Sequence, residues 1–289
     1  MFPGSIARPL LLVAAAATAV TLAAGCSATR QPGTRHAGSG TAAQPSPRQA
    51  VELTAAHART ATSATATVSL QATGTIAMTI AGTVAERTTP SLLAQATFPT
   101  VQVAGQTIPG GMSEITSSTA LYLRLSYLRQ LSGDKTWIEL PYSEMTNLLG
   151  GINLGTLIQQ AQDNGPLLQT QLLGGATGVR KVGTGTIGGV PVTEYAGTYT
   201  MADAIAQLPA SARSGVAKQS AQAGIKAVDF KVWVDDQQQA RKLVLNEPTG
   251  MGDLTMTMLV TSINQPVSIE LPPASQTIVA PFSALTSGF

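Results

Sequence analysis

Residues able to do chemistry are scarce in this 289-residue chain. It holds one cysteine, Cys26, and two histidines, His36 and His57. A single thiol forms no disulfide within the chain and excludes zinc sites built on several cysteines. His36 stands in a low-complexity stretch and His57 in a helical pattern, so a His-rich metal centre is excluded as well. No G-x-S-x-G elbow occurs, and the two histidines are poor bases for a triad. Gly183-Thr-Gly185-Thr-Ile-Gly188 matches the dinucleotide fingerprint G-x-G-x-x-G. That motif works only when a helix begins inside it and aims its N-terminus at a pyrophosphate. Here Gly189-Val-Pro191-Val follows, a second strand, so the glycines serve a hairpin turn. Asp235-Asp236 offers paired carboxylates for acid–base work or calcium, but adjacent acids in a tight turn read as solvated turn residues. The expectation is a protein that is not an enzyme and uses no cofactor and no metal.

Cys26 has a different chemistry in view. Residues 1–26 read MFPGSIARPLLLVAAAATAVTLAAGC. A short segment with Arg8 precedes an apolar run from Leu10 to Ala24, and small residues follow, which is the order of a secretory signal. The run falls short of the roughly 20 residues a helix needs to span the hydrocarbon core. Leu22-Ala-Ala-Gly25-Cys26 resembles the bacterial lipobox, with Ala23 where that pattern prefers Leu. The resemblance implies cleavage between Gly25 and Cys26 and a diacylglyceryl group on the cysteine. Two acyl chains meet the requirement that stable anchoring takes more than one lipid. The expected organisation is a signal peptide over 1–25, a tether over 26–47, a folded domain over 48–275 and a tail over 276–289. The chain would then sit on the extracytoplasmic face of the cell membrane.

Charge sets a limit on partners. The first fifty residues contain Arg8, Arg30, Arg35 and Arg48 and no acid, while the whole chain carries a net +2. The folded part is therefore close to neutral and slightly acidic. Nucleic-acid binding needs its positive excess on the folded domain, so nucleic acid is not expected as a partner.

The elements follow from hydrophobic period. Ser27 to Ser46, SATRQPGTRHAGSGTAAQPS, cannot bury enough apolar surface to offset its chain entropy and should be a flexible tether. Residues 48–62 have a helical stripe of Val51, Ala55 and Ala58, which leaves His57 on the helix surface. The period then changes to two. Ala66, Val68, Leu70 and Ala72 alternate with polar residues, and Ile76, Met78 and Ile80, then Leu92, Ala94, Ala96 and Phe98, continue the pattern. Leu121-Tyr-Leu123-Arg-Leu125 and the Trp137 segment repeat it, with Arg124 outward. Such a succession predicts an antiparallel sheet with one apolar face. From Tyr142 to Leu173 the spacing turns helical and predicts two or three short helices over that face. Strands return at 180–185 and 192–199 about a Gly188-Gly189 turn. A helical insert covers 201–223, a hairpin 228–246, and a last strand 254–258.

Within this order, Asp134-Lys-Thr-Trp137-Ile-Glu-Leu140, Gly189-Val-Pro-Val-Thr-Glu-Tyr195-Ala-Gly197-Thr, Val232-Trp-Val-Asp-Asp236 and Gln265-Pro-Val-Ser-Ile-Glu-Leu-Pro-Pro273 stand in sequence. Together they are similar to the LppX/LprAFG family of actinobacterial cell-envelope lipoproteins, over about residues 48–273. The resemblance implies an α+β, LolA-like fold: a curved antiparallel half-barrel sheet with helices covering its concave apolar face. It also implies a hydrophobic cavity that takes the acyl chains of an envelope lipid or glycolipid, and movement of that lipid between membrane layers, with an envelope transporter as a possible partner. The candidate lining is Val68, Leu70, Met78, Ile80, Leu123, Phe230, Val232, Met256 and Met258. Among them Met256 and Met258 carry thioethers, which adapt to irregular chains. The alternative is a surface adaptor with a solid core, because apolar residues at alternating positions form the core of any sheet.

Overall fold

Ser46 starts the first helix. Its hydroxyl accepts from the Gln49 N–H at 3.3 Å, and Gln49 Oε1 accepts from the Ser46 N–H at 3.0 Å. This reciprocal capping box, with Pro47 behind it, satisfies donors that a helix start leaves open. The resulting helix α1, Pro47–Thr60, buries Ala50, Val51, Ala55 and Ala58. The computed structural model describes residues 44–74, 77–125, 135–142, 165–208, 210–249 and 252–279. Gly25, Cys26, Ile76 and most of the expected helical segment before Gly165 lie outside the described residues.

Beyond α1 the chain is a meander: β1 (Ser63–Ala72), β2 (Met78–Arg87), β3 (Leu93–Val103), β4 (Gln106–Thr107), β5 (Met112–Ser117), β6 (Ala120–Leu125) and β7 (Trp137–Pro141). Helix α2 (Pro166–Leu172) and a short 3-10 turn follow. Strands β8 (Thr177–Ile187) and β9 (Val190–Thr200) come next, then helices α3 (Met201–Ala206) and α4 (Ala210–Ala223). Strands β10 (Ala227–Val234), β11 (Ala240–Thr249), β12 (Gly252–Ile263) and β13 (Thr277–Val279) complete the described elements. The strands form one large curved sheet in the order β13-β7-β6-β5-β3-β2-β1-β12-β11-β10-β9-β8, with β4 appended to β3. Neighbours pair antiparallel except β13 and β7, which run parallel. The sheet is continuous because β1 pairs with both β2 and β12, joining the two ends of the domain.

The structure adds to the sequence reading in three places. Met112–Ser117 was not expected as a strand, yet it is β5, and all six of its residues are buried. Strands covered on both faces lose the apolar–polar alternation by which they are recognised. Residues 277–279, in the expected tail, pair with Trp137, Ile138 and Glu139. The segment carrying Val267 and Ile269 packs on the outer face against Leu93, Ile115, Tyr122 and Trp137.

Local signals held elsewhere. Gly188 and Gly189 both adopt positive φ, 56° and 82°, as a two-residue hairpin turn requires. Gly183 and Gly185 lie in β8, so the G-x-G-x-x-G match belongs to a hairpin. Arg124 is exposed, stacks 5.3 Å from the centre of the Trp137 ring and donates to Ser113.

Candidate functional site

Residues paired directly across strands point to the same side, so the registers define the inner face. Leu70 lies between Met256 on β12 and Ile80 on β2. The row extends through Leu245 to Phe230 on one side and to Val101 on the other. A neighbouring row runs Val232, Leu243, Met258, Val68 and Gly82. Gly82 has a steric reason: a Cβ there would lie 2.0 Å from the Thr97 carbonyl oxygen, where β2 and β3 approach at a bulge. Met78 shares the next row with Ala72. Leu123 sits opposite Ile138, farther along the same face. The nine candidate residues thus occupy one face of one sheet.

They do not form one cluster. Phe230, Val232 and Met258 belong to a core made with α1, α2 and the helices after β9. Phe230 stacks on Tyr199 with ring centres 6.2 Å apart. Leu70, Ile80 and Leu123 belong to a second cluster, built among the described residues from strand side chains. Val68 and Met256 pack against both clusters, and Met78 against the second. These three remain half-buried although their registers turn them inward. At the seam of the two clusters and at the edge of the second, the inner face therefore keeps apolar side chains that solvent reaches in part.

The same face carries acids that the sequence reading passed over. Glu86 pairs with Ala64 and Ala94, Glu114 with Ala96 and Leu123, and Glu247 with Leu254. Glu86 and Glu114 are fully buried. Glu86 Oε1 accepts from the Leu167 N–H at 3.0 Å, and Glu114 Oε1 from the Thr116 hydroxyl at 3.2 Å. Among the described residues the second carboxyl oxygen of each has no hydrogen-bond partner. Burial pushes Glu86 up to about 7, against which the Leu167 N–H acts, and Glu114 up to about 8. Burial also lifts Glu247 to about 7. Tyr142 is raised by burial first and by the Glu114 charge second. The signal was present in the sequence, since each acid falls two residues from an inward apolar residue: Val84, Met112 and Leu245.

The acid pair in the hairpin turn divides. Asp236 is exposed, but Asp235 is buried, which corrects its reading as a solvated turn residue. Asp235 Oδ1 accepts from the N–H groups of Gln237 and Gln239, both at 2.9 Å, and Oδ2 from Arg241 Nε at 2.6 Å. It closes the β10–β11 turn. His57 is at the helix surface, with Nδ1 3.1 Å from the Gln237 carbonyl.

Sheet, helices and inner face define an α+β protein whose long curved antiparallel sheet holds an apolar inner side partly open. Among solved structures, the chain is similar to lipoprotein LppX of Mycobacterium tuberculosis, at 16% identity and a TM-score of 0.46, covering 78% of this chain and 98% of that one. It is also similar to LprF of Mycobacterium bovis, at 13% identity and 0.48, covering 78% and 96%. A LolA superfamily protein of Nitrosomonas europaea is similar at 9% identity and 0.30, covering 78% and 94%. In sequence, the chain is 29% identical over 150 residues to the uncharacterized 31.2 kDa protein in the rplA-rplJ intergenic region of Streptomyces griseus. That match spans 51% of this chain and about half, 49%, of the relative. No protein-family model matches the chain.

Proposed function

We propose that this chain is a membrane-anchored exported lipoprotein that binds the acyl chains of an envelope lipid or glycolipid on its inner face and carries them between membrane layers. The observation behind this reading is that Val68 and Met256, at the seam of the two clusters, and Met78, at the edge of the second, turn inward yet stay half-buried. Apolar side chains turned inward yet reachable by solvent cost free energy, roughly 25 cal/mol for each Å² left wet. An acyl chain laid over these side chains removes that cost. Apolar residues scattered over an outer surface need no such explanation, whereas residues turned toward the interior do. The sequence resemblance to envelope lipoproteins points the same way.

Mass spectrometry of the purified chain is expected to find a reproducible lipid adduct that the Val68→Trp and Met256→Trp variants lose while keeping their circular dichroism. An adduct-free protein that takes up no fluorescent fatty acid would reject the reading and leave the adaptor role. Anchoring has its own test. Replacing Cys26 by Ala should move the protein from the membrane fraction to the soluble extracytoplasmic fraction. Persistence with membranes would refute lipidation at that thiol.

A further inference from the structure

Burial sorts the methionines of the described residues into two kinds. Met112 and Met258 are each 2% exposed and closed within the two clusters. Met78, Met201 and Met256 are half-buried. Met201 begins α3, whereas Met78 and Met256 stand on the inner face. Met256 pairs with Leu70 and Met78 with Ala72, two positions apart on β1. Strands β12 and β2 flank β1, so strand spacing and rise put the two methionines about 12 Å apart. Ala72 and Leu254, which share the row of Met78, are half-buried as well. One acyl chain laid across β1 therefore meets both thioethers.

A thioether that water reaches is also one that a peroxide reaches. A sulfur lone pair attacks one peroxide oxygen, an S–O bond forms and the O–O bond breaks. Sulfur gives up two electrons, and the second peroxide oxygen leaves as water. The product is a sulfoxide, polar and chiral where a flexible apolar side chain stood, and reductases return it to the thioether. Its oxygen accepts hydrogen bonds and has none to donate. Beneath a fatty tail that oxygen would lose water and meet no donor, which opposes binding.

We infer that Met78 and Met256 form an oxidation-sensitive site through which peroxide lowers the affinity of the inner face for acyl chains. The inference rests on the lipid-binding reading above and adds to it a means of regulation. The coupling runs both ways: a bound chain covers the two thioethers and slows their oxidation.

The purified full chain is treated with hydrogen peroxide, with and without a fluorescent fatty acid, and sulfoxide at each methionine is followed by peptide mass spectrometry. Met78 and Met256 should oxidise ahead of Met112 and Met258, in line with their exposure. The fatty acid should protect Met78 and Met256 and leave Met201, the half-buried reference on α3, unprotected. The oxidised chain should bind the fatty acid about tenfold more weakly, the effect of one polar group buried without a partner. Methionine sulfoxide reductases should restore the affinity. The Met78→Leu/Met256→Leu variant, which conserves volume and apolar character, should bind before and after peroxide alike. Unchanged affinity in a wild-type chain carrying both sulfoxides overturns the inference while leaving acyl binding in place. Oxidation of Met78 and Met256 no faster than that of Met258 overturns it too, and so does a loss of affinity that persists in the double leucine variant. An untreated chain that binds no fatty acid defeats the lipid-binding reading, and this inference with it.

Discussion

Replacing Glu114 by Gln should stabilise the protein at pH 9 by up to about 5 kcal/mol and leave it nearly unchanged at pH 4. The native carboxyl is raised to about 8 by burial, while in the unfolded chain it titrates near the ordinary glutamate value of 4.5. Between those values the native state holds a proton that the unfolded state has released. Stability therefore falls as pH rises through this window, and is fully present only below it. Ionisation in place would leave a charge with, among the described residues, one hydroxyl partner at Oε1 and none at Oε2, a costly state in an apolar interior. Glutamine keeps the shape and the acceptor for Thr116 and removes the titration. Urea midpoints at pH 5 and pH 9 measure the effect. A wild-type protein whose midpoint is the same at both values, or a variant that retains the full wild-type slope, contradicts the assignment. Glu86 and Glu247, each raised to about 7, contribute slopes of the same sign that end about one pH unit lower.

The second large effect lies on the opposite side of the sequence reading. Asp235→Ala should cost about 3–5 kcal/mol, the range for removing one partner of a buried ion pair. Two turn N–H groups would lose their acceptor, and Arg241, whose side chain is only 21% exposed, would lose its counter-charge. Asp235→Asn keeps the Oδ1 acceptor and should cost distinctly less. Equilibrium unfolding gives the totals, and amide exchange along β10 and β11 shows whether the loss is centred on this hairpin. A penalty for Asp235→Ala below about 1 kcal/mol, the level of an exposed pair, would show that the flanking strands hold the turn without it.

Asp235 and Glu114 also mark where sequence reading stops. The Gly188-Gly189 turn, the α1 stripe and the alternation through Val68 and Leu70 were legible because each depends on neighbours a few residues away. The nine candidate residues were placed on one face for the same reason: alternation determines the side of a strand. Alternation does not say how deeply a side will be covered. Glu86, Glu114 and Glu247 occupy inward positions, but their burial depends on strands and a helix distant in sequence; the group that meets Glu86, the Leu167 N–H, is 81 residues away. Asp235 needed Arg241 folded back across the hairpin before its environment could be known. Strand β5 escaped because burial on both sides erased its pattern.

By itself, then, the sequence determined the antiparallel sheet, its apolar side and the scarcity of reactive groups, since period, turn chemistry and composition act locally. Only the tertiary structure decided that β1 joins β2 to β12, that the inner face divides into two clusters with half-buried apolar side chains at their seam, and that three acids are held within it. Those outcomes depend on which distant surfaces meet, and solvent exposure is a property of the assembled layers rather than of any segment.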